Sequence, residues 1–223
     1  MPELPKALPP GERTVGQLVA ETLRLYGDNF WRALPLGLPL AALDELALGH
    51  SGTTRAVLFV AIAPILTLGY AWASVIASST KPSPRALATA TLAGTAILLP
   101  AALILTWFAL LAVAYLALVG LVVPVAVIEG KGLLASFRRA GQLGRADYVH
   151  ALGSLAALAV VFGISRYTLV VLLQGQADNA IRFAIFLADV VLAPLLLLGA
   201  ALLYFDQAAR VKGAPGRSQE SRA

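Results

Sequence analysis

The sequence predicts an all-α polytopic membrane protein, with about six transmembrane helices plus an N-terminal and a central cytosolic amphipathic helix. Three observations predict it. Residues 86–128 form a run of 43 without Asp, Glu, Lys, Arg or His, closed by Arg85 and Glu129. One helix of that length would rise roughly 65 Å at about 1.5 Å per residue, against a hydrocarbon core of about 30 Å, so the run folds back as a hairpin. Composition agrees: 59% of residues are apolar and 13% charged, whereas soluble domains run at about 45–50% and 25%, and the mean hydropathy is +0.80. Finally, the basic residues gather on one side of the apolar stretches.

The elements follow in chain order. Residues 1–13 begin with a proline-rich stretch that has no apolar signal-peptide segment, and are expected as a disordered cytosolic tail. Over residues 14–30, Val15, Leu18, Val19, Thr22, Tyr26 and Phe30 recur at helical spacing while Gln17, Glu21, Arg24 and Asp28 take the other face. Thr14 with Gln17 fits a capping box at the start. Apolar stretches of spanning length then fall at 30–48, 56–78, 87–106, 108–128, 148–173 and 183–205. The first is the weakest, because Pro35 and Pro39 lie inside it and Asp44 and Glu45 near its end; it is expected to be kinked or only partly inserted. A second amphipathic helix is expected over 132–144, with Leu133, Phe137, Ala140 and Leu143 on one side and Arg138 and Arg139 turned to lipid headgroups. Residues 14–210 make one helical membrane domain, and 211–223 are expected as a disordered basic tail.

With both termini in the cytosol, 14 of the basic residues fall inside and 3 outside, namely Arg55, Arg166 and Arg182, as the positive-inside rule requires. The same rule accounts for a pI near 9.8 without nucleic acid as a partner. Offset by 118 residues, Leu25, Ala33, Leu34 and Leu40 align with Leu143, Ala151, Leu152 and Leu158. Such identities are cheap in an apolar chain, so a duplicated helix-plus-span unit competes with two independent amphipathic helices that precede spans.

The segment Pro124-Val-Ala-Val-Ile-Glu129-Gly130, the basic helix ending at Gly144-Arg145, Tyr148 opening a span, and the ending Leu203-Tyr204-Phe205-Asp206 with Arg210 and Gly213 form a recurrent pattern. Together with the N-terminal amphipathic helix they resemble the membrane domain fused to some glycerophosphoryl diester phosphodiesterases, and found in related stand-alone bacterial integral membrane proteins. The resemblance implies an all-helical domain of a bacterial plasma (inner) membrane. It does not imply phosphodiester hydrolysis, which in the fused proteins belongs to a separate barrel. Ala140 stands where such proteins often carry a serine, and the closing Arg is displaced to Arg210.

Asp189 is the most unusual residue, because a charge inside a span needs a reason. It lies about 24 Å from Phe205 by helical rise, and Arg166 lies about 27 Å from Tyr148. The two are expected to meet near the outer face, as a helix-locking ion pair or as part of an ion or proton pathway. Asp44 and Glu45, with His50 nearby, offer two carboxylates and an imidazole to a metal. Neighbours on a helix point about 100° apart, however, so an outer acidic cluster touching Arg55 is expected and no metal. Gly49-His50-Ser51-Gly52 matches the serine motif of rhomboid intramembrane proteases. A serine nucleophile needs a base within reach, and His150, the other histidine, belongs at the cytosolic face, so the motif is expected to be a turn. Glu129 is expected to neutralise a basic cluster. Lys131, Arg138, Arg139 and Arg145 are expected to contact lipid headgroups, each contributing roughly 1 kcal/mol at an anionic leaflet.

There is no cysteine, and no Walker loop, dinucleotide fingerprint or HExxH motif. No catalytic residue and no cofactor are therefore expected. The sequence favours a membrane-embedded scaffold or accessory module whose partners are lipids and other membrane proteins. The alternative is a small transporter or channel built on Arg166 and Asp189, with Pro100, Pro124 and Pro194 interrupting spans; an intramembrane hydrolase at Ser51 is the remote one.

Overall fold

A computed structural model describes residues 9–105 and 107–220, with side chains as far as Lys212. Residues 1–8 and 221–223 of the expected tails, and Thr106 at the end of the expected third span, lie outside the described residues. The chain is an all-α polytopic membrane protein, and the described residues contain five helices long and apolar enough to cross a membrane. These are α4 (Gly52–Ser78), α5 (Pro84–Leu105), the α6–α7 unit (Ala109–Val119 and Val122–Ile128), α9 (Tyr148–Leu172) and α10 (Asp178–Glu220). The two further amphipathic elements are α1 (Val15–Asp28) and α8 (Leu133–Ala146).

The first expected span, 30–48, is not a single helix. It breaks into α2 (Phe30–Ala33), a 3-10 turn (Leu34–Gly37) and α3 (Leu38–Ala47). Pro35 and Pro39 cause the break, since each lacks an N–H and its ring collides with the carbonyl four residues earlier. The broken segment nevertheless runs antiparallel along α10: Ala33 and Leu36 pack into a cluster with Leu198 and Ala201, Gly37 faces Val190, and Glu45 reaches Arg182. At Gly37 the approach is so close that a Cβ would lie 2.2 Å from the Val190 carbonyl oxygen. That carbonyl is the one α10 cannot use, because its helical partner would be the missing N–H of Pro194. The same logic interrupts α6–α7 at Gly120, four residues before Pro124. Gly144 of α8 then packs against the Leu118 carbonyl in the last turn of α6, again with 2.2 Å to a built Cβ.

The core is centred on α7, whose Val122, Val123, Val125, Ala126 and Val127 are buried chiefly against α4, α5 and α8. Gly130, at φ +62°, ends the unit. The Thr14–Gln17 capping box is present: Thr14 N–H donates to Gln17 Oε1 at 2.8 Å and Gln17 N–H to Thr14 Oγ1 at 3.3 Å. Helix α1 turns Leu18, Thr22 and Tyr26 into the bundle, and α8 turns Ser136, Ala140, Leu143 and Gly144 inward. Their apolar faces are thus covered by protein rather than by headgroups alone.

Both expected tails carry structure where they are described. Pro10–Glu12 forms a 3-10 turn on α10, with a Cβ built at Gly11 lying 3.4 Å from Ala209 Cβ. Helix α10 continues to Glu220 instead of giving way after residue 210.

Candidate functional site

Two polar clusters occupy opposite ends of the bundle. At one end α3, α9 and α10 bring together Asp44, Glu45, Arg166, Arg182 and Asp189 around a cavity of about 90 Å³. Arg166 Nη1 lies 3.5 Å from Asp189 Oδ1, and its closer partner is Asp44. Asp189 is 0% exposed, and neither of its carboxylate oxygens has a hydrogen-bond partner. One guanidinium is therefore shared by two carboxylates, and the tighter contact goes to the one nearer solvent. Glu45 pairs with Arg182. Asp44 and Glu45 do point apart along α3, but to these two arginines; Arg55, the partner expected from sequence, instead donates from Nε to the Ala47 carbonyl at 3.1 Å. Among the described residues no group of three or more His, Cys, Asp or Glu is placed to hold a metal ion.

At the other end the sequence signalled little, yet the network is denser. Asp206, 0% exposed, accepts from Arg13 Nη1 at 3.2 Å and lies 3.5 Å from His150 Nε2. Asp147 caps α9 through the His150 N–H and takes Arg210 Nη1 at 2.6 Å. Gln207 spans the Asp147 backbone from both sides, accepting its N–H at 3.1 Å and donating to its carbonyl at 3.0 Å. Arg210 Nη2 also donates to the Arg13 carbonyl at 2.9 Å. Beside this network Glu129 binds Lys131 at 2.5 Å, Arg139 at 3.3 Å and the Tyr204 hydroxyl at 2.9 Å. Partial burial pushes the Glu129 carboxyl up, but the bonds from Lys131, Tyr204 and Arg139 outweigh it and hold the carboxyl below its usual range.

Of the four basic residues expected at headgroups, the structure commits Lys131 and Arg139 to Glu129, while Arg138 and Arg145 are exposed. Ser51 is the N-cap of α4, with Oγ accepting from the Thr54 N–H at 3.4 Å. His50 Nδ1 meets the Leu48 carbonyl at 2.9 Å, and His150 sits on Asp206 at the far end. The serine has no histidine base.

Between the ends, α10 lines the interior with Val190, Ala193, Leu198, Ala201 and Leu203, all buried. The buried hydroxyls of Thr22, Thr67 and Ser74 donate to carbonyls four residues earlier in their own helices, and Ser154 Oγ is buried without a partner. No protein-family model, curated protein or solved structure matches the chain.

Proposed function

We propose that the protein is a non-conducting scaffold or accessory module of a bacterial plasma membrane, crossing it six times with both termini in the cytoplasm and having no catalytic activity of its own. The observation that carries the reading is the row of buried apolar side chains along α10 between the two polar ends, with the hydroxyls of Thr22, Thr67 and Ser74 spent on their own helices. A conduction path would need polar groups and space along α10 from Asp189 to Asp206, and Val190, Ala193, Leu198 and Ala201 occupy that line.

Two features support the crossing number. Arg13 meets Asp206, as an even number of crossings between them allows. Five helices are long and apolar enough to cross, and in this reading the broken α2–α3 segment makes a sixth crossing. The orientation rests on the excess of Arg and Lys at the Asp206 end. The resemblance of the Pro124–Gly130 segment and of the C-terminal pattern favours an accessory role.

The test is flux. Purified protein in liposomes should pass no protons or ions above the protein-free background, and Asp189→Asn should behave identically. The observation favouring a transporter is the buried Asp189 carboxylate, ion-paired with Arg166 but without a hydrogen bond, beside a cavity. Flux in the wild type that vanishes in a folded Asp189→Asn would establish that reading and remove the scaffold.

A further inference from the structure

At the Asp44 end, α3, α4 and α5 enclose a groove of about 760 Å³, separate from the cavity at Asp189 but sharing the Asp44 wall with it. Its body is apolar, formed by Leu40, Leu43, Phe59, Val60, Ala102 and Leu103. Its size lies within the roughly 300–1,000 Å³ typical of small-molecule and cofactor sites. The groove lies between elements of the membrane domain, and its apolar body suits an occupant that partitions into the bilayer.

The charge at the groove narrows the occupant. Three arginines stand at this end. Arg166 and Arg182 are spent on Asp44, Asp189 and Glu45. Arg55 lines the groove, is exposed, and has no carboxylate partner among the described residues. Its Nε is fixed on the Ala47 carbonyl, at the end of α3, which leaves the terminal amino groups to take an anion. Guanidinium and phosphate are geometrically matched. Asp44, on the same wall, is turned to Arg166, its closer partner, rather than to Arg55.

We propose that this groove is a phospholipid site: one acyl chain lies along the Phe59, Val60 and Ala102 wall, and the phosphate is held by Arg55. The site depends on the membrane reading alone and stands whether or not the bundle conducts ions.

The purified full chain in a neutral detergent, titrated with phosphatidylglycerol and read by native mass spectrometry, should retain one lipid saturably. Losing a charge-assisted contact should weaken retention by about tenfold or more in Arg55→Gln. Ala56→Trp, which fills the groove from an exposed position, should weaken it similarly, and Arg85→Gln at the opposite end of α5 should leave it unchanged. Glycerol 3-phosphate, a headgroup without chains, should not displace the lipid, and diacylglycerol should compete poorly. Should either groove variant fail to fold, a phosphatidylglycerol carrying a photoreactive chain, crosslinked to the wild type, replaces it; labels should map to residues 56–60 and 99–105. Retention unchanged in Arg55→Gln, unsaturable retention, labels elsewhere on the bundle, or occupation of the groove by a second copy of the chain would overturn the proposal.

Discussion

Glu129 answers three donors with one carboxylate, and its depressed folded-state titration fixes the sign of a pH effect. A group whose folded value is lowered contributes stability above its unfolded value, near 4.5 for Glu129, and loses that contribution as pH falls through the folded value. Glu129→Gln should therefore cost about 1–3 kcal/mol at pH 7, and the gap in Tm from the wild type should close as the pH drops below 4.5. A gap that is constant with pH would sink this. At the other end, Asp189→Asn removes a buried carboxylate without a hydrogen bond while Arg166 keeps Asp44. It should leave Tm unchanged or raised, whereas Asp44→Asn should lower it, by about 1–2 kcal/mol for a partly exposed pair. Counting helical rise was enough to put Arg166 beside Asp189, because depth along two sequential helices is a local quantity. It could not find Asp44, which is brought in by a segment far away in the chain, nor the cluster on Asp206, whose partner Arg13 is 193 residues distant.

At the scale of elements, the prolines and two glycines act in concert. Bilayer-spanning backbone must be satisfied internally, and the carbonyls at Val190 and Leu118 each lie so close to a glycine on a neighbouring segment that a Cβ there would stand 2.2 Å away. Substitution within α8 tests this sharply. Gly144→Ala places a Cβ 2.2 Å from the Leu118 oxygen, and overpacking against backbone should cost about 1–3 kcal/mol. Gly141→Ala, three residues away with nothing within 4 Å, should instead stabilise by about 0.5–1 kcal/mol through helix propensity. Thermal melts of the two variants should shift in opposite directions. The helices α1 and α8 also sharpen the question of duplication. Both are 14 residues long, their bounds are offset by 118 at each end (15 to 133, 28 to 146), and Phe30 and Tyr148, at the same offset, each open the next element. Leu18, Thr22, Tyr26 and Ala33 are buried, as are their counterparts Ser136, Ala140, Gly144 and Ala151. Burial and boundaries match where residue identities do not, which is why the sequence alone leaned towards two independent helices. The broken span was legible in Pro35 and Pro39; its packing along α10 was not, because Gly37 has no side chain to announce a close approach.

For the whole molecule, topology is directly measurable because the chain contains no cysteine. Single-cysteine variants Ser51→Cys and Gln142→Cys should label from opposite faces: the first in intact cells, the second only after the membrane is opened. Labelling of both from one face would refute the six-crossing arrangement. The same architecture constrains how the chain comes to be built. The 3-10 turn and Arg13 dock onto α10, so the earliest described segment is held by the last described helix. With 193 residues between Arg13 and Asp206 and synthesis at roughly 5–20 residues per second, the start of the chain waits about 10–40 s at the membrane before its partner exists. During that interval the incoming spans lack the Arg13–Asp206 contact. The Arg13–Asp206 contact thus marks, in time, the moment at which the newborn protein closes.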